Sequence, residues 1–371
     1  MEKIKEIGLY IHIPFCKKKC YYCDFKSYSE KDNLIEKYVD TLIKEYHYYN
    51  IKSEYRIKTI YIGGGTPSYL NSIYIKRLLK EINTKDAKEI TLEVNPGTVT
   101  KEKLIDYYEA GVNRLSMGLQ STDNKILRLI GRIHKYEDFI KNYNLSREVG
   151  FKNINIDLIL GLPGQNLKNL KEGLQKIINL KPEHISLYSL ILEPGTVLFE
   201  KVDKKELKLP IDEIERKMYW DTKEMLEMNE YIHYEISNFA KKGFESKHNL
   251  DCWNQKEYVG IGVAAHSYIN SKRFSNIETI EEYISNYKNK EIHEIQDKKV
   301  QEKEYMLLGL RKIEGIDIED FKNKFKENPI YLFRNELHRL SKLGLIEEDL
   351  NKIKLTSKGL DFANIVWEEF V

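Results

Sequence analysis

Short runs of apolar, β-branched residues alternate with longer amphipathic stretches through the first 195 residues. The runs are Gly8–Phe15, Thr59–Gly65, Glu89–Asn95, Arg114–Ser121, Asn153–Pro163 and His184–Ile191. Helical periodicity fills the gaps at Asp32–Lys52, Tyr69–Ile82, Lys101–Ala110, Tyr136–Glu148 and Leu167–Leu180. A strand period followed by a helical one, repeated about six times, predicts βα units and a parallel sheet. Ala110-Gly111 and Val149-Gly150 read as helix stops. Ile154–Leu160 reads as an apolar strand with little alternation, as expected of a parallel strand covered by helices. The unusual residues fall at the ends of runs: a cysteine cluster, Gly63–Pro67, Glu93–Pro96, Gln120-Ser121, Asp157 to Gly164 and Glu193–Gly195. Barrel enzymes assemble their sites at the C-terminal ends of strands. The expected fold is therefore α/β, a partial (β/α)6 barrel over residues 1–195, extended by a more mixed segment over 196–298. Residues 299–371 predict a winged-helix-like α+β unit. It would comprise a helix at Leu337–Leu345, a hairpin of Ile346–Leu350 with Lys352–Leu355 about Asn351, and a last helix opening at Thr356–Gly359.

Charge narrows the function classes. With 32% charged residues but a net charge of only +2, the chain offers no field for gripping a nucleic-acid backbone. The stretch 300–371 carries 12 basic and 14 acidic residues, whereas a DNA-reading wing should be basic. Glu2 and Glu6 break a secretory n-region, and no apolar stretch is long enough to span a bilayer. A cytoplasmic protein is expected, with peripheral contact at a membrane left open.

Three of the four cysteines fall within eight residues, Cys16-Lys-Lys-Lys-Cys20-Tyr-Tyr-Cys23. That is a poor disulfide framework and a good metal site. Cubane clusters normally take four cysteines, so three would leave one iron of a [4Fe–4S] cluster open. The amino nitrogen and carboxylate of S-adenosylmethionine (SAM) suit that position, and a reduced cluster can pass an electron to the sulfonium. The alternative is a zinc site with His12 or Cys252 as fourth ligand, although no second CxxC or HxxxH follows. The glycines of Gly63-Gly64-Gly65-Thr66-Pro67 would let a ligand approach the backbone. Glu93, Gln120, Arg132 and Asp157 supply the carboxylates, amide and guanidinium that SAM's ammonium, ribose and carboxylate call for. Each is also an ordinary polar residue for a loop, and Tyr10 suits either the cluster's side or the core.

Together these motifs resemble the oxygen-independent coproporphyrinogen III oxidase family of radical SAM proteins. The resemblance rests on Tyr10-Ile-His-Ile-Pro-Phe-Cys16, Gly63–Pro67, Glu93-Val94-Asn95-Pro96 and Gly161-Leu-Pro-Gly164. It implies a radical SAM barrel, a [4Fe–4S] cluster on Cys16, Cys20 and Cys23, and SAM contacts at Tyr10, Gly64, Gly65, Thr66, Glu93, Gln120, Arg132 and Asp157. The decarboxylating enzymes have a fourth cysteine where this chain has Phe25, and a longer segment than the 15 residues ahead of Cys16 here. The CxxxCxxCxF form is similar to the HemW-type heme chaperone branch. That branch implies heme as ligand and heme-accepting respiratory proteins as partners. Its HNxxYW motif corresponds to His248-Asn249-Leu250-Asp251-Cys252-Trp253, with cysteine replacing tyrosine. His248 and Trp253 are the implied heme residues, His266 is a second candidate ligand, and Cys252 is either a thiolate ligand or a small buried residue. The competing expectation is a radical SAM oxidative decarboxylase.

Overall fold

The computed structural model describes residues 5–49, 51 and 55–371. Glu2, and Asn50 and Lys52 at the expected end of the first helix, lie outside the described residues. Six parallel strands follow one another in space as in sequence: β1 (Lys5–Ile13), β2 (Tyr55–Gly64), β3 (Glu89–Val94), β4 (Arg114–Gln120), β5 (Ile154–Leu160) and β6 (His184–Ser189). Consecutive order with helical crossovers of one hand winds a sheet in one direction, as in a barrel. The barrel does not close. β1 is also bonded to β9 (Tyr258–Ile261), and β6 to β8 (Asn238–Ala240), which pairs with β7 (Ile232–Glu235). Beyond β9 an antiparallel meander continues through β10 (His266–Ile269), β11 (Lys272–Asn276) and β12 (Lys290–Ile295).

The helices form where the sequence periodicity places them, at Ile35–Tyr48, Ser72–Glu81, Lys101–Glu109, Tyr136–Val149 and Leu167–Asn179. Local chemistry sets their ends. Thr100 accepts from the Lys103 N–H at one N-terminus, and Asn166 and Asn169 cap each other's backbone at another. Gly150, at φ 116°, closes the helix before it in the left-handed conformation. Their apolar stripes cover one face of the sheet. Leu9, Ile11, Ile60, Ile62, Leu92, Leu115, Met117, Ile156 and Ile185 on that face are completely buried, each contributing roughly 1.5–3 kcal/mol.

The other face is polar, and here the structure corrects the reading of Ile154–Leu160. That strand alternates: Asn155 and Asp157 face inward between outward Ile154, Ile156 and Leu158. The register extends the pattern across the sheet. Tyr10, Tyr61, Thr91 and Arg114 form one row. Glu93, Ser116, Asn155 and His184 form the next. Gly118, Asp157 and Ser186 form a third. Asp157 therefore lies in mid-strand, not at the end of the run. Parallel strands read as continuously apolar only when both faces meet hydrophobic layers, and these enclose a cleft on one side.

Residues 305–370 build a separate hydrophobic core around Met306, Phe321, Leu340, Ile353 and Val366. Its sheet contains the expected hairpin, β14 (Ile346–Glu348) with β15 (Lys352–Leu355), preceded by the helix Arg334–Lys342 and followed by Ser357–Asp361. A third strand, β13 (Ile316–Asp317), escapes a sequence reading because it is two residues long. Among the described residues, no helix is long and apolar enough to cross a membrane.

Candidate cluster and cofactor site

The cysteine loop leaves the C-terminal end of β1 and is fastened by its backbone. Tyr28 N–H donates to Pro14 O (2.7 Å), Cys16 N–H to Tyr28 O (2.9 Å), Tyr21 N–H to Ile130 O (3.0 Å) and Leu198 N–H to Tyr21 O (2.8 Å). Phe15 anchors it in the core. The three thiols are free, Cys16 buried and Cys20 and Cys23 partly exposed. Cys16 Sγ lies 3.4 Å from Thr66 Oγ1, and Arg132 Nη1 lies 3.4 Å from Cys20 Sγ. Burial raises the Cys16 thiol above its ordinary range and pushes Cys23 up to about 11. Forming thiolates here thus calls for positive charge, which iron and the Arg132 guanidinium would supply.

Three soft donors beside a guanidinium, with no carboxylate among them, fit an iron–sulfur cluster. Among the described residues, no three His, Cys, Asp or Glu side chains converge on a point where one ion would sit. The proposed zinc partners are elsewhere engaged. The His12 ring nitrogens lie 2.9 Å from Tyr10 OH and 2.9 Å from Lys26 O. Cys252 sits on the helix Lys247–Trp253, its thiol pushed up to about 12 by burial.

The glycine run packs against this loop. Gly65 N–H donates to Ile13 O (2.8 Å) and Thr66 N–H to Phe15 O (2.9 Å). A Cβ on Gly63 would meet the Glu93 carboxylate at 2.8 Å, one on Gly64 the His12 ring at 2.5 Å, and one on Gly65 loop carbonyls at 3.0 Å. At all three positions protein atoms crowd the space a side chain would take. Gly64 and Gly65 remain partly exposed on the cleft.

Glu93 accepts from Tyr61 OH (2.9 Å) and Gly64 N–H (3.1 Å), and burial together with Asp157 pushes its carboxyl up to about 7. Asp157 accepts from Ser116 Oγ (3.1 Å) and Asn155 Nδ2 (2.8 Å); burial raises its pKa. Arg132 follows a short helix, Asn124–Leu129, that the periodicity did not reveal; it donates to Asn95 Oδ1 (3.0 Å) and to Gly118 O. Gln120 ends β4 with φ 71°, and the register with β5 slips beside it. A left-handed non-glycine residue costs of order 1 kcal/mol, strain that clusters at functional sites. A Cβ on Gly118 would stand 2.9 Å from Gln120 Nε2 and 3.2 Å from Arg132 Nη2. Tyr10, Gly64, Gly65, Thr66, Glu93, Gln120, Arg132 and Asp157 thus gather around one cleft whose mouth carries the cysteines.

His248 and Trp253 lie apart from that mouth. Their helix crosses the N-terminal end of the strands, with Lys247 and His248 N–H donating to Glu89 (3.0 and 3.1 Å). His248 packs near Gly8, five residues and about 16 Å along β1 from the cysteine end. Its Nδ1 is 2.9 Å from Thr59 Oγ1, its ring is 5.4 Å from that of Tyr61, and burial pushes its pKa down to about 4. Trp253 faces Arg311 (4.4 Å), which also lies over Trp367 (4.9 Å). His266 is exposed on β10, its ring 5.3 Å from that of His293.

A connected set of inner-face groups went unread in the sequence. Ser246 N–H donates to Tyr234 OH (3.2 Å), which meets His184 Nε2 (2.8 Å). His184 Nδ1 meets Asn155 Oδ1 (2.7 Å), and Asn155 Nδ2 donates to Ser116 (2.8 Å) and to Asp157. Polar residues at i and i+2 in Arg114-x-Ser116, Asn155-x-Asp157 and His184-x-Ser186 carried the signal.

Comparison with known proteins matches the radical SAM superfamily over residues 10–177 and the HemN C-terminal domain over 296–362. Heme chaperone HemW of Bacillus subtilis (strain 168) is 39% identical over 98% of each chain. The Lactococcus lactis protein of the same name is 38% identical over 99% of this chain and 98% of its own. Among solved structures, the radical SAM enzyme coproporphyrinogen III oxidase (HemN) from Escherichia coli aligns with TM-score 0.85 and 25% identity, over 99% of this chain and 90% of that one.

Proposed function

The chain belongs to the HemW-type radical SAM proteins, and from that membership we propose that it is a heme chaperone delivering heme to respiratory membrane proteins. On this reading Cys16, Cys20 and Cys23 hold a [4Fe–4S] cluster, and SAM binds across Tyr10, Gly64, Gly65, Thr66, Glu93, Gln120, Arg132 and Asp157. When bound, the cluster would supply an electron to the SAM sulfonium. The protein's part is positioning. Arg132 places positive charge against Cys20, Glu93 offers a carboxylate to the ammonium, and Asp157 is held for the ribose by Ser116 and Asn155. The single observation carrying the reading is that these residues line one cleft in a chain with full-length HemW relatives.

Heme ligation is assigned to His248. A hydrogen bond to Thr59 fixes Nδ1, which leaves Nε2 for iron, and a pKa of about 4 keeps the ring neutral, as a ligand must be. Trp253, through Arg311, would hold the presenting helix in place. The site is a cytoplasmic one, with peripheral contact at the membrane where acceptors reside. The test is a heme titration beside an anaerobic coproporphyrinogen assay on one cluster-loaded sample. Stoichiometric heme without decarboxylation is expected. Enzyme-like protoporphyrinogen formation overturns the reading in favour of an oxidative decarboxylase. The likeness to coproporphyrinogen III oxidase favours that second reading; Phe25, 60% exposed in place of a fourth cysteine, opposes it.

A further inference from the structure

We propose that Asn95 and His134 are positioning residues for the cluster: together they hold the Arg132 guanidinium against the sulfur of Cys20, so that an N–H···S hydrogen bond raises the cluster's reduction potential. The inference rests on the reading above in which Cys16, Cys20 and Cys23 carry a [4Fe–4S] cluster.

The arginine is fixed at both ends. Its backbone belongs to the turn after the helix Asn124–Leu129, where Arg132 N–H donates to Leu127 O (2.9 Å) and Gly131 N–H to Arg128 O (3.1 Å). Tyr21 N–H joins that turn to the cysteine loop through Ile130 O (3.0 Å). The fit is close, since a Cβ on Gly131, at φ 76°, would stand 2.8 Å from the Tyr21 ring. At the far end Nη2 donates to Asn95 Oδ1 (3.0 Å) and to Gly118 O, which turns Nη1 toward Cys20 Sγ at 3.4 Å.

Asn95 can serve as a fixed acceptor because its own backbone is held. Its N–H donates to Ser68 Oγ (3.0 Å), and its carbonyl accepts from Thr98 N–H (3.1 Å) and Thr98 Oγ1 (2.7 Å). A guanidinium only donates, so the Asn95 amide presents its oxygen to Arg132. His134 Nδ1 lies 3.2 Å from the same oxygen and is therefore the protonated ring nitrogen. The ring is 3% exposed, and burial with the Arg132 charge pushes its pKa down to about 3, so it stays neutral. With two donors on one oxygen, the Asn95 amide cannot rotate without losing both. Hydrogen bonds to the sulfurs set the potential of an iron–sulfur cluster, and groups that orient such donors tune the metal through them. A donor carrying positive charge favours the reduced state, which is the more negative one.

The experiment uses full-length, cluster-reconstituted protein without SAM, with iron content and circular dichroism as controls. One-electron reduction of the cluster by dithionite is followed by electron paramagnetic resonance against potential. Asn95→Ala is expected to make reduction at least threefold less favourable, about 28 mV at about 59 mV per tenfold for one electron. His134→Phe is expected to shift the potential less in the same direction, and Arg132→Met more. In an Arg132→Met background neither Asn95→Ala nor His134→Phe should move it further, since both act through the guanidinium. A wild-type potential in either single variant, or a shift that persists in the Arg132→Met background, overturns the proposal. Should Asn95→Ala fail to fold or to take up iron, His134→Phe carries the same two comparisons. Wild type that assembles no four-iron cluster defeats the cluster assignment, and this inference falls with it. Wild type with a cluster whose potential the variants share defeats the positioning role alone.

Discussion

The cysteine loop and the helix Lys247–Trp253 occupy opposite ends of the same six strands and are held by opposite means. The loop is stitched by its backbone to Pro14, Tyr28, Ile130 and Leu198, and its cysteines form no disulfide. The helix is pinned by side chains: Glu89 on its first N–H groups, Thr59 on His248, Arg311 on Trp253. Where backbone does the holding, side chains are available for chemistry and can be exchanged without cost to the fold. Where side chains hold, each substitution touches stability and binding together.

The largest effect expected is at the loop. Cys16→Ala, Cys20→Ala or Cys23→Ala should each reduce bound iron from about four per chain to near zero while circular dichroism stays that of the wild type. Wholesale unfolding of these variants would erase the distinction between the two regions. At the other end, Glu89→Ala strands two helix N–H groups and should cost about 3 kcal/mol in urea unfolding, since hydrogen bonds to a charged group contribute about 1.5–3 kcal/mol. Heme affinity should fall with it while iron content holds. His248→Ala should weaken heme binding at least tenfold and cost about 1–2 kcal/mol through the lost Thr59 contact. An unchanged heme titration would remove His248 from the ligand set. The smallest effect concerns protons at the cleft. The Glu93 carboxyl titrates near 7, so SAM affinity should weaken as pH falls through that value and the carboxylate is lost. Glu93→Gln should bind about tenfold more weakly at pH 8 and show no such slope in equilibrium dialysis.

Much of the frame was legible because it depends on local periodicity. The six strand runs and five helices fall within a few residues of their expected places, and the Ala110-Gly111 and Val149-Gly150 stops hold glycines at φ 95° and 116°. The hairpin about Asn351 was equally readable from its turn. The helix Asn124–Leu129 was not, since six residues are too few to show a period. Asp157 illustrates the other kind of miss. It was singled out for its chemistry but assigned to a strand end, because Asn155-Ile156-Asp157 reads as a polar interruption until Ser116 and Ser186 are seen beside it. Gly63, Gly64 and Gly65 were read as room for a ligand, and nothing in the sequence signalled that Glu93, His12 and the cysteine loop also press on those positions.

By itself the sequence determined the βα repeat, the spacing of three sulfurs and the motifs that place the chain in its family. Hydrogen-bonded periodicity and ligand spacing act over a few residues, and linear order records them. Tertiary structure alone decided that the inner face is polar, that Glu89 anchors a helix 158 residues away, and that Asn155 joins Ser116, Asp157 and His184 into one network. Those facts depend on which strands become neighbours and in what register, and no short stretch of chain contains that information.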